Sequence, residues 1–184
     1  LESGCRTFFF ASSSENYAAS VDRGLAPIPT PEDVLLAIDD IALPRWSYAA
    51  SKIAGESAVF GAAKLGGFTP IVVRFHNVYG PRMDIHGKYT EVLIRWMERI
   101  SAGEPPLIFG DGQQTMDFIY IDDIARANVL ALQSDQTDEV FNVASGTETS
   151  LVELAAALSR VMGSDIAPVH GPERRPDRQA PLQE

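Results

Sequence analysis

Two apolar runs, joined by a long connection that contains a helix, constrain the fold of this chain most. The runs are residues 6–12 and 68–75, and neither alternates with polar residues. Continuous apolar runs of this length are typical of strands buried on both faces, as in a parallel sheet. Between them, residues 46–65 are rich in alanine and are followed by Gly66 and Gly67, as expected of a helix and its end. A strand, a helical crossover and a second strand form a βαβ unit, so we expect an α/β fold.

The rest of the chain continues the alternation of strands and helices. Helices are predicted at 89–102, from 122 to 132 and from a capping box at Ser150 to residue 162, and strands at 107–109, 117–121 and 140–144. The proline-rich segment 18–44 is predicted to be a long loop with one helical turn at 31–36.

Polar residues follow both apolar strands. Ser12, Ser13 and Ser14 come at the end of the first, and His76 and Asn77 directly after the second. In open α/β sheets, ligands bind outside the carboxyl ends of the strands, so these residues are candidates for a binding site. An ordinary strand-to-loop turn, in which the hydroxyls satisfy local backbone, explains the serines as well.

Tyr48 and Lys52 are four residues apart on the predicted helix. Residues at this spacing share one helix face, and an ammonium beside a phenol favours the phenolate, which makes the pair a ready acid/base group. With five tyrosines in 184 residues the spacing also arises by chance, so the pair alone is a weak motif.

Composition excludes several classes of partner. A net charge of −10 and a pI near 4.7 argue against binding to nucleic acid. The single Cys5 excludes an internal disulfide and suits a cytoplasmic protein. No apolar run is long enough to span a membrane, and the first residues lack a signal-peptide pattern. The chain starts without Met, enters a strand almost at once and finishes in a polar tail, so we expect it to be an internal fragment.

Five ordered segments carry a resemblance to a known family. They are residues 12–17 (Ser-Ser-Ser-Glu-Asn-Tyr), 48–52 (Tyr-Ala-Ala-Ser-Lys), 74–81 (Arg-Phe-His-Asn-Val-Tyr-Gly-Pro), 110–123 (Gly-Asp-Gly-Gln-Gln-Thr-Met-Asp-Phe-Ile-Tyr-Ile-Asp-Asp) and 140–146 (Val-Phe-Asn-Val-Ala-Ser-Gly). Together they resemble the extended short-chain dehydrogenase/reductase family, in its NAD-dependent nucleotide-sugar epimerase/dehydratase branch, of the UDP-glucose 4-epimerase type. The resemblance covers nearly the whole chain.

The resemblance implies a Rossmann-like, doubly wound parallel sheet with a smaller α/β substrate-binding lobe. Residues 1–80 would be the second half of the NAD-binding domain, and 81–184 mainly the substrate lobe, with 113–143 returning to the first domain. The family's glycine-rich turn, which seats the cofactor's pyrophosphate, is absent from this sequence. The cofactor implied is NAD, with NADP left open. The partners implied are a nucleotide-sugar substrate and a second subunit, in a homodimer formed through the Tyr48 helix.

The resemblance also implies roles for individual residues. Tyr48 would take the proton from a sugar hydroxyl, Lys52 would favour its phenolate and bind the nicotinamide ribose, and Ser13 would position the hydroxyl. The implied cofactor-binding residues are Ser12, Tyr48, Lys52, Phe75 and His76, and the implied substrate-binding residues are Ser14, Glu15, Asn77, Leu107, Phe109, Arg174 and Arg175; no metal is implied. A strand-end cap remains open for Ser13, a packed side chain for His76, and a solvated basic turn for the two arginines.

Three departures from the family pattern bear on the reaction. Ser14 stands where 4,6-dehydratases carry a proton-donating Asp, and a hydroxyl cannot replace a general acid at neutral pH. Met116 stands where many members, the decarboxylases among them, use an arginine, and a thioether has neither charge nor donors. In Asn16-Tyr17-Ala18, Asn16 and Ala18 replace the usual small apolar residue and glycine.

The departures at Ser14 and Met116 therefore favour a nucleotide-sugar 4-epimerase, with a UDP-sugar as substrate, and no consequence for the reaction follows from Asn16 and Ala18. The alternatives within enzymes are a UDP-glucuronate decarboxylase and a nucleotide-sugar dehydratase or reductase. The alternative of another class is a catalytically silent nucleotide-binding protein, against which the intact Ser13, Tyr48 and Lys52 argue.

Overall fold

The computed structural model of the chain describes residues 4–85 and 92–173. In chain order, the strands are β1 (Thr7–Ser13), β2 (Thr69–Phe75), β3 (Asn77–Tyr79), β4 (Leu107–Phe109), β5 (Thr115–Tyr120), β6 (Glu139–Val143), β7 (Glu148–Ser150) and β8 (Val169–Gly171). The helices are α1 (Ala18–Asp22), α2 (Ser47–Gly66), α3 (Val92–Ser101), α4 (Ile121–Gln133) and α5 (Leu151–Val161), with 3-10 turns at Ser14–Tyr17 and Pro44–Trp46.

The chain divides into two compact units. The first contains Leu1–Val78 and Ile119–Gly146, and the second contains Tyr79–Phe118 and Thr147–Glu184. Parallel strands and helices alternate as expected, so the predicted α/β class is confirmed. No helix in the described part of the chain combines the length and the apolar composition needed to cross a membrane.

A three-stranded parallel sheet forms the centre of the first unit, in the order β1-β2-β6. Its core is β2, where Ile71, Val72 and Val73 are almost completely buried. The register aligns Ser13 with Phe75 and Phe75 with Val143, so the three strands end at the same level. Polar residues that follow these strands are therefore brought to one edge of the sheet.

Helix α2 packs closely on β1 because it carries a glycine where the two elements meet. A Cβ atom on Gly55 would lie 2.3 Å from Cζ of Phe10, well inside van der Waals contact. The helix ends at Gly67, whose φ of 68° is the left-handed conformation that terminates many helices.

The second unit has its own apolar core, formed by side chains that converge from α3, β4 and α5. Its buried members are Trp96, Ile108, Leu151, Leu154 and Ala155. Strand β4 pairs in parallel with β8, and β5 pairs antiparallel with β7. The predicted capping box at the start of α5 is present: the Ser150 hydroxyl accepts a bond from the backbone of Glu153, whose carboxylate accepts one from the backbone of Ser150.

Some local predictions were wrong. Residues 31–36 form no helix; the helical residues of the segment lie earlier, in α1, where Ala19 and Ser20 are fully buried. Strand β1 is not buried along its length as predicted: Phe8 is 45% exposed and Ala11 is also exposed, and in the described chain the strand pairs only with β2. The short strands β3, β7 and β8 were not predicted. The predicted start of the helix at residue 89 lies outside the described residues.

Candidate active site

One face of α2 carries Tyr48, Lys52 and Glu56, spaced four residues apart. The Tyr48 side chain is half exposed, at 51%. The ammonium nitrogen of Lys52 lies 5.6 Å from the centre of the Tyr48 ring and donates a 2.8 Å hydrogen bond to the carbonyl oxygen of Ala11 on β1. The helix therefore presents a solvent-accessible phenol beside a cation that the neighbouring strand holds in place.

Ser13 is the last residue of β1 and is buried. Its oxygen accepts a 3.2 Å bond from the backbone N–H of Glu15, so Ser13 does cap the 3-10 turn that follows. That bond uses a lone pair and not the hydroxyl proton, which remains able to donate to a ligand. Ser14 next to it is half-buried and Glu15 is exposed.

The residues at the end of β2 are less buried than Ser13 at the end of β1. Phe75, His76 and Asn77 are all half-buried, and the backbone N–H of His76 donates to the carbonyl of Val143. Within the described residues, Nδ1 of His76 is buried and has no hydrogen-bond partner. A buried nitrogen without a partner is costly, and a ligand or a water molecule at this edge of the sheet could pair with it.

A buried polar row crosses the sheet just below these strand ends. Ser12 on β1 is in register with Arg74 on β2, and Arg74 is in register with Asn142 on β6. Glu56 of α2 lies against this row: Arg74 donates to its two oxygens at 2.9 and 2.6 Å, and the Ser12 hydroxyl donates to it at 2.5 Å. The hydroxyl of Ser12 is therefore used inside the protein, and a cofactor contact from this residue would have to come from its backbone.

The row continues through Tyr17. Arg74 donates to the Tyr17 hydroxyl at 2.6 Å, and that hydroxyl donates to Asn142 at 2.7 Å. Burial raises the pKa of Tyr17, although the bond from Arg74 partly opposes the rise. Burial by itself lowers the pKa of Arg74, but its bonds with Glu56 and Tyr17 outweigh burial, and the result is a raised pKa.

Asn16 gives the network a further donor. Its amide nitrogen donates to Glu56 at 2.8 Å and to the Ser12 hydroxyl at 3.1 Å, while its own oxygen is buried with no partner among the described residues. The unusual residue in the Asn16-Tyr17-Ala18 segment thus contributes to this network.

Tyr17, Arg74 and Asn142 lie in the segments that carry the family resemblance, but the sequence analysis assigned no site role to them or to Glu56. Two signals were present: Glu56 lies four residues after Lys52, and Arg74 is a charge inside an otherwise apolar strand. A charged residue in a buried strand requires a partner, but the sequence does not say which acid provides it.

The remaining predicted site residues belong to the second unit. Leu107 and Phe109 lie on β4 and are half-buried, and the carbonyl of Leu107 accepts a 3.0 Å bond from the indole of Trp96. Met116 packs against the apolar core of this unit. Arg174 and Arg175 lie outside the described residues, so their predicted contacts with substrate stay predictions.

The family comparison agrees with the resemblance noted in the sequence. Residues 1–144 match the model of the "NAD dependent epimerase/dehydratase family". The chain belongs to this family. A structure of UDP-glucose 4-epimerase with UDP-glucose, from Thermotoga maritima, is 33% identical, superposes with a TM-score of 0.82, and matches over 95% of this chain and 53% of that one.

Other proteins that resemble the chain carry the names of different reactions. The UDP-N-acetyl-alpha-D-glucosaminuronate decarboxylase of Bacillus cytotoxicus is 33% identical over 92% of this chain and 50% of its own length. A structure of UDP-glucuronic acid 4-epimerase from Bacillus cereus, in complex with UDP-glucuronic acid and NAD, is 26% identical with a TM-score of 0.75, over 91% of this chain and 49% of that one. The chain spans about half the length of these relatives.

Proposed function

We propose that the full-length protein is a nucleotide-sugar 4-epimerase that acts on a UDP-sugar with NAD as its bound cofactor. The observation that carries the proposal is the exposed Tyr48 phenol beside Lys52, whose ammonium is fixed by the carbonyl of Ala11, two residues before Ser13 at the end of β1. A phenol, a fixed cation and the Ser13 hydroxyl are the groups needed to remove a proton from a secondary alcohol.

The residues present fit the nicotinamide side of a cofactor site. Lys52 offers a donor to the ribose, and the end of β2 offers the backbone of Phe75 and the unpaired Nδ1 of His76. NAD bound there would supply the acceptor for a hydride from C4 of the sugar and the donor for its return. The sequence contains no G-x-x-G-x-x-G motif for the pyrophosphate.

The chain's own groups act on the proton and on orientation. Ser13 donates to the 4-hydroxyl oxygen and directs it toward Tyr48, whose phenolate accepts the proton. Lys52 stabilises the phenolate during the transfer. Tyr48 returns the proton to the same oxygen after the 4-keto sugar has presented its opposite face. Asn77 at the start of β3, Ser14 and Glu15 would contact the sugar or diphosphate, and Leu107 and Phe109 the base.

Two residues favour epimerisation over other reactions of the family. Dehydration needs a carboxylic acid at Ser14, and a serine hydroxyl cannot supply that proton at neutral pH. The side chain of Met116 packs against an apolar core and has no donor for a carboxylate or phosphate.

Decarboxylation of a UDP-sugar acid is the second candidate, since a decarboxylase is among the relatives that match most of the chain. The two reactions differ in product mass, because epimerisation leaves the mass of the sugar unchanged.

We also propose that the protein is a cytoplasmic homodimer that packs through α2. Ala50, Ala54 and Ala58 form an exposed stripe of small side chains along this helix, and small side chains let two helices approach closely. Sedimentation of the full-length protein would test the dimer.

Replacing Tyr48 with phenylalanine tests the proposed function. In the full-length protein, Tyr48→Phe should reduce the turnover of UDP-sugars by about 100-fold or more, because it removes the proton acceptor while keeping the ring. Bound NAD, measured after denaturation, should stay at the wild-type level. Turnover of UDP-glucose, UDP-N-acetylglucosamine and UDP-glucuronic acid is followed by mass and proton NMR. Wild-type activity in the variant would refute the role of Tyr48, and loss of carbon dioxide would assign the protein to the decarboxylases.

A further inference from the structure

Glu56 is the acceptor on which the buried network converges. Its two oxygens accept four hydrogen bonds, from Ser12, from Asn16 and twice from Arg74, at distances of 2.5 to 2.9 Å. The side chains of Arg74 and Glu56 are 4% and 6% exposed. Buried ion pairs often stabilise a protein no more than apolar packing would. The Arg74–Glu56 pair is therefore better explained by a second role, which is to fix the positions of the elements that carry it.

That geometry is the register of α2 against β1. Three successive residues of β1 meet α2 in turn: the Phe10 ring fits over Gly55, the Ala11 carbonyl accepts from Lys52, and the Ser12 hydroxyl donates to Glu56. The next residue of the strand is Ser13. The helix side of the contact carries Lys52, and Tyr48 one turn before it.

We propose that Glu56, held by Arg74, is a positioning residue for the reaction; the proposal rests on the proposed function. Glu56 reaches no substrate, because it is buried beneath the strand ends. It acts through Ser12: the 2.5 Å bond fixes the end of β1 along the helix and so sets the Ser13 hydroxyl relative to Tyr48 and Lys52. The two hydrogen bonds from Arg74 fix the carboxylate of Glu56, because a guanidinium that donates to both oxygens sets the orientation of the carboxylate.

Glu56→Gln breaks this arrangement with little change of volume. The amide that replaces one oxygen is a donor, so it cannot accept from Arg74, Ser12 or Asn16 as the carboxylate does. With the amide nitrogen in place of Oε2 one donor of Arg74 loses its acceptor, and in place of Oε1 the donors of Ser12, Asn16 and Arg74 all do. The end of β1 should then shift or loosen relative to α2.

The test compares Glu56→Gln with Ile124→Ala in the full-length protein. Ile124 is a buried apolar residue of α4 and makes none of these hydrogen bonds. Its replacement by alanine should therefore lower stability without removing a hydrogen bond of the network. Thermal unfolding shows how closely the two variants match in stability, and activity is measured well below both transitions. The probes are UDP-glucose, UDP-N-acetylglucosamine and UDP-glucuronic acid. With them, Glu56→Gln should lower kcat by about 10- to 100-fold, because a misplacement of reacting groups by about 1 Å has an effect of this size. The KM should be nearly unchanged. Ile124→Ala should keep the wild-type kcat.

Hydrogen exchange gives a readout that does not depend on activity. Backbone amides of residues 10–15 should exchange faster in Glu56→Gln than in the wild type, and at the wild-type rate in Ile124→Ala. An unchanged exchange rate or an unchanged kcat in Glu56→Gln overturns the proposal, as does an equal fall of kcat in Ile124→Ala. If the wild type converts none of the probes, the proposed function fails, and exchange alone then decides whether Glu56 fixes the end of β1.

Discussion

Because α2 lies close to β1, the effect of Gly55→Ala on the free energy of unfolding should change sign when Phe10 is replaced by a smaller residue. In Gly55→Ala, the new methyl group would lie 2.3 Å from Cζ, 3.0 Å from Cε2 and 3.1 Å from Cε1 of Phe10. The ring must move by about 1 Å to restore ordinary contact, and overpacking of this kind costs about 1–3 kcal/mol. Alanine in place of glycine stabilises a helix by about 1 kcal/mol. The net effect in the wild-type background should be a loss of about 1 kcal/mol in the free energy of unfolding.

Replacing the Phe10 ring with the smaller side chain of leucine should remove the clash, while the gain in helix propensity at residue 55 remains. In a Phe10→Leu background, Gly55→Ala should therefore raise the free energy of unfolding by about 1 kcal/mol. The difference between the two backgrounds is the coupling energy of a double-mutant cycle, about 1–3 kcal/mol, and the cost of Phe10→Leu itself cancels in it.

Urea unfolding of the four proteins, followed by circular dichroism and tryptophan fluorescence, measures the cycle. Trp46 is 3% exposed and lies directly before α2, so its fluorescence reports on this part of the first unit. A coupling energy near zero, with Gly55→Ala acting alike in both backgrounds, would refute the view that the Phe10 ring sets the distance between β1 and α2.

Further predictions concern titratable groups and a helix cap. Burial raises the pKa of Tyr17. The contribution of this tyrosine to stability should therefore be fully present below about pH 10 and lost as the pH rises through the higher folded-state pKa. In urea unfolding at alkaline pH, Tyr17→Phe should not show this loss of stability. The hydrogen bond from the Ser150 backbone lowers the pKa of Glu153, so this contribution should be present above about pH 4.5 and lost as the pH falls through the lower folded-state pKa. Thermal unfolding at several acidic pH values should show a smaller loss in Glu153→Gln, and an equal loss would contradict the capping role. At neutral pH, Ser150→Ala should destabilise the protein by about 1 kcal/mol in urea unfolding.

Local chemistry was sufficient to predict most of the main helices and strands. The apolar runs at 6–12 and 68–75 correspond to β1 and β2, the glycine after α2 terminates it, and the capping box starts α5. These features depend on a few neighbouring residues, and periodicity and turn chemistry are properties of the sequence itself. The short strands β7 and β8 were missed because three-residue strands exist only through their partners, β5 and β4, which are distant in sequence.

The chemistry of Tyr48 and Lys52 could likewise be inferred from their spacing and from the accompanying motifs. What the sequence could not provide was the support of that pair. Ser12, Arg74 and Asn142 are far apart in the chain and meet only because the parallel register places them in one row across three strands. Glu56 reaches that row because Gly55 lets the helix approach the sheet.

The sequence by itself determined which elements form and which groups can exchange a proton, because those depend on residue type and local spacing. Only the tertiary structure decided what holds these groups in place, because sheet register and helix packing join residues that no local pattern connects.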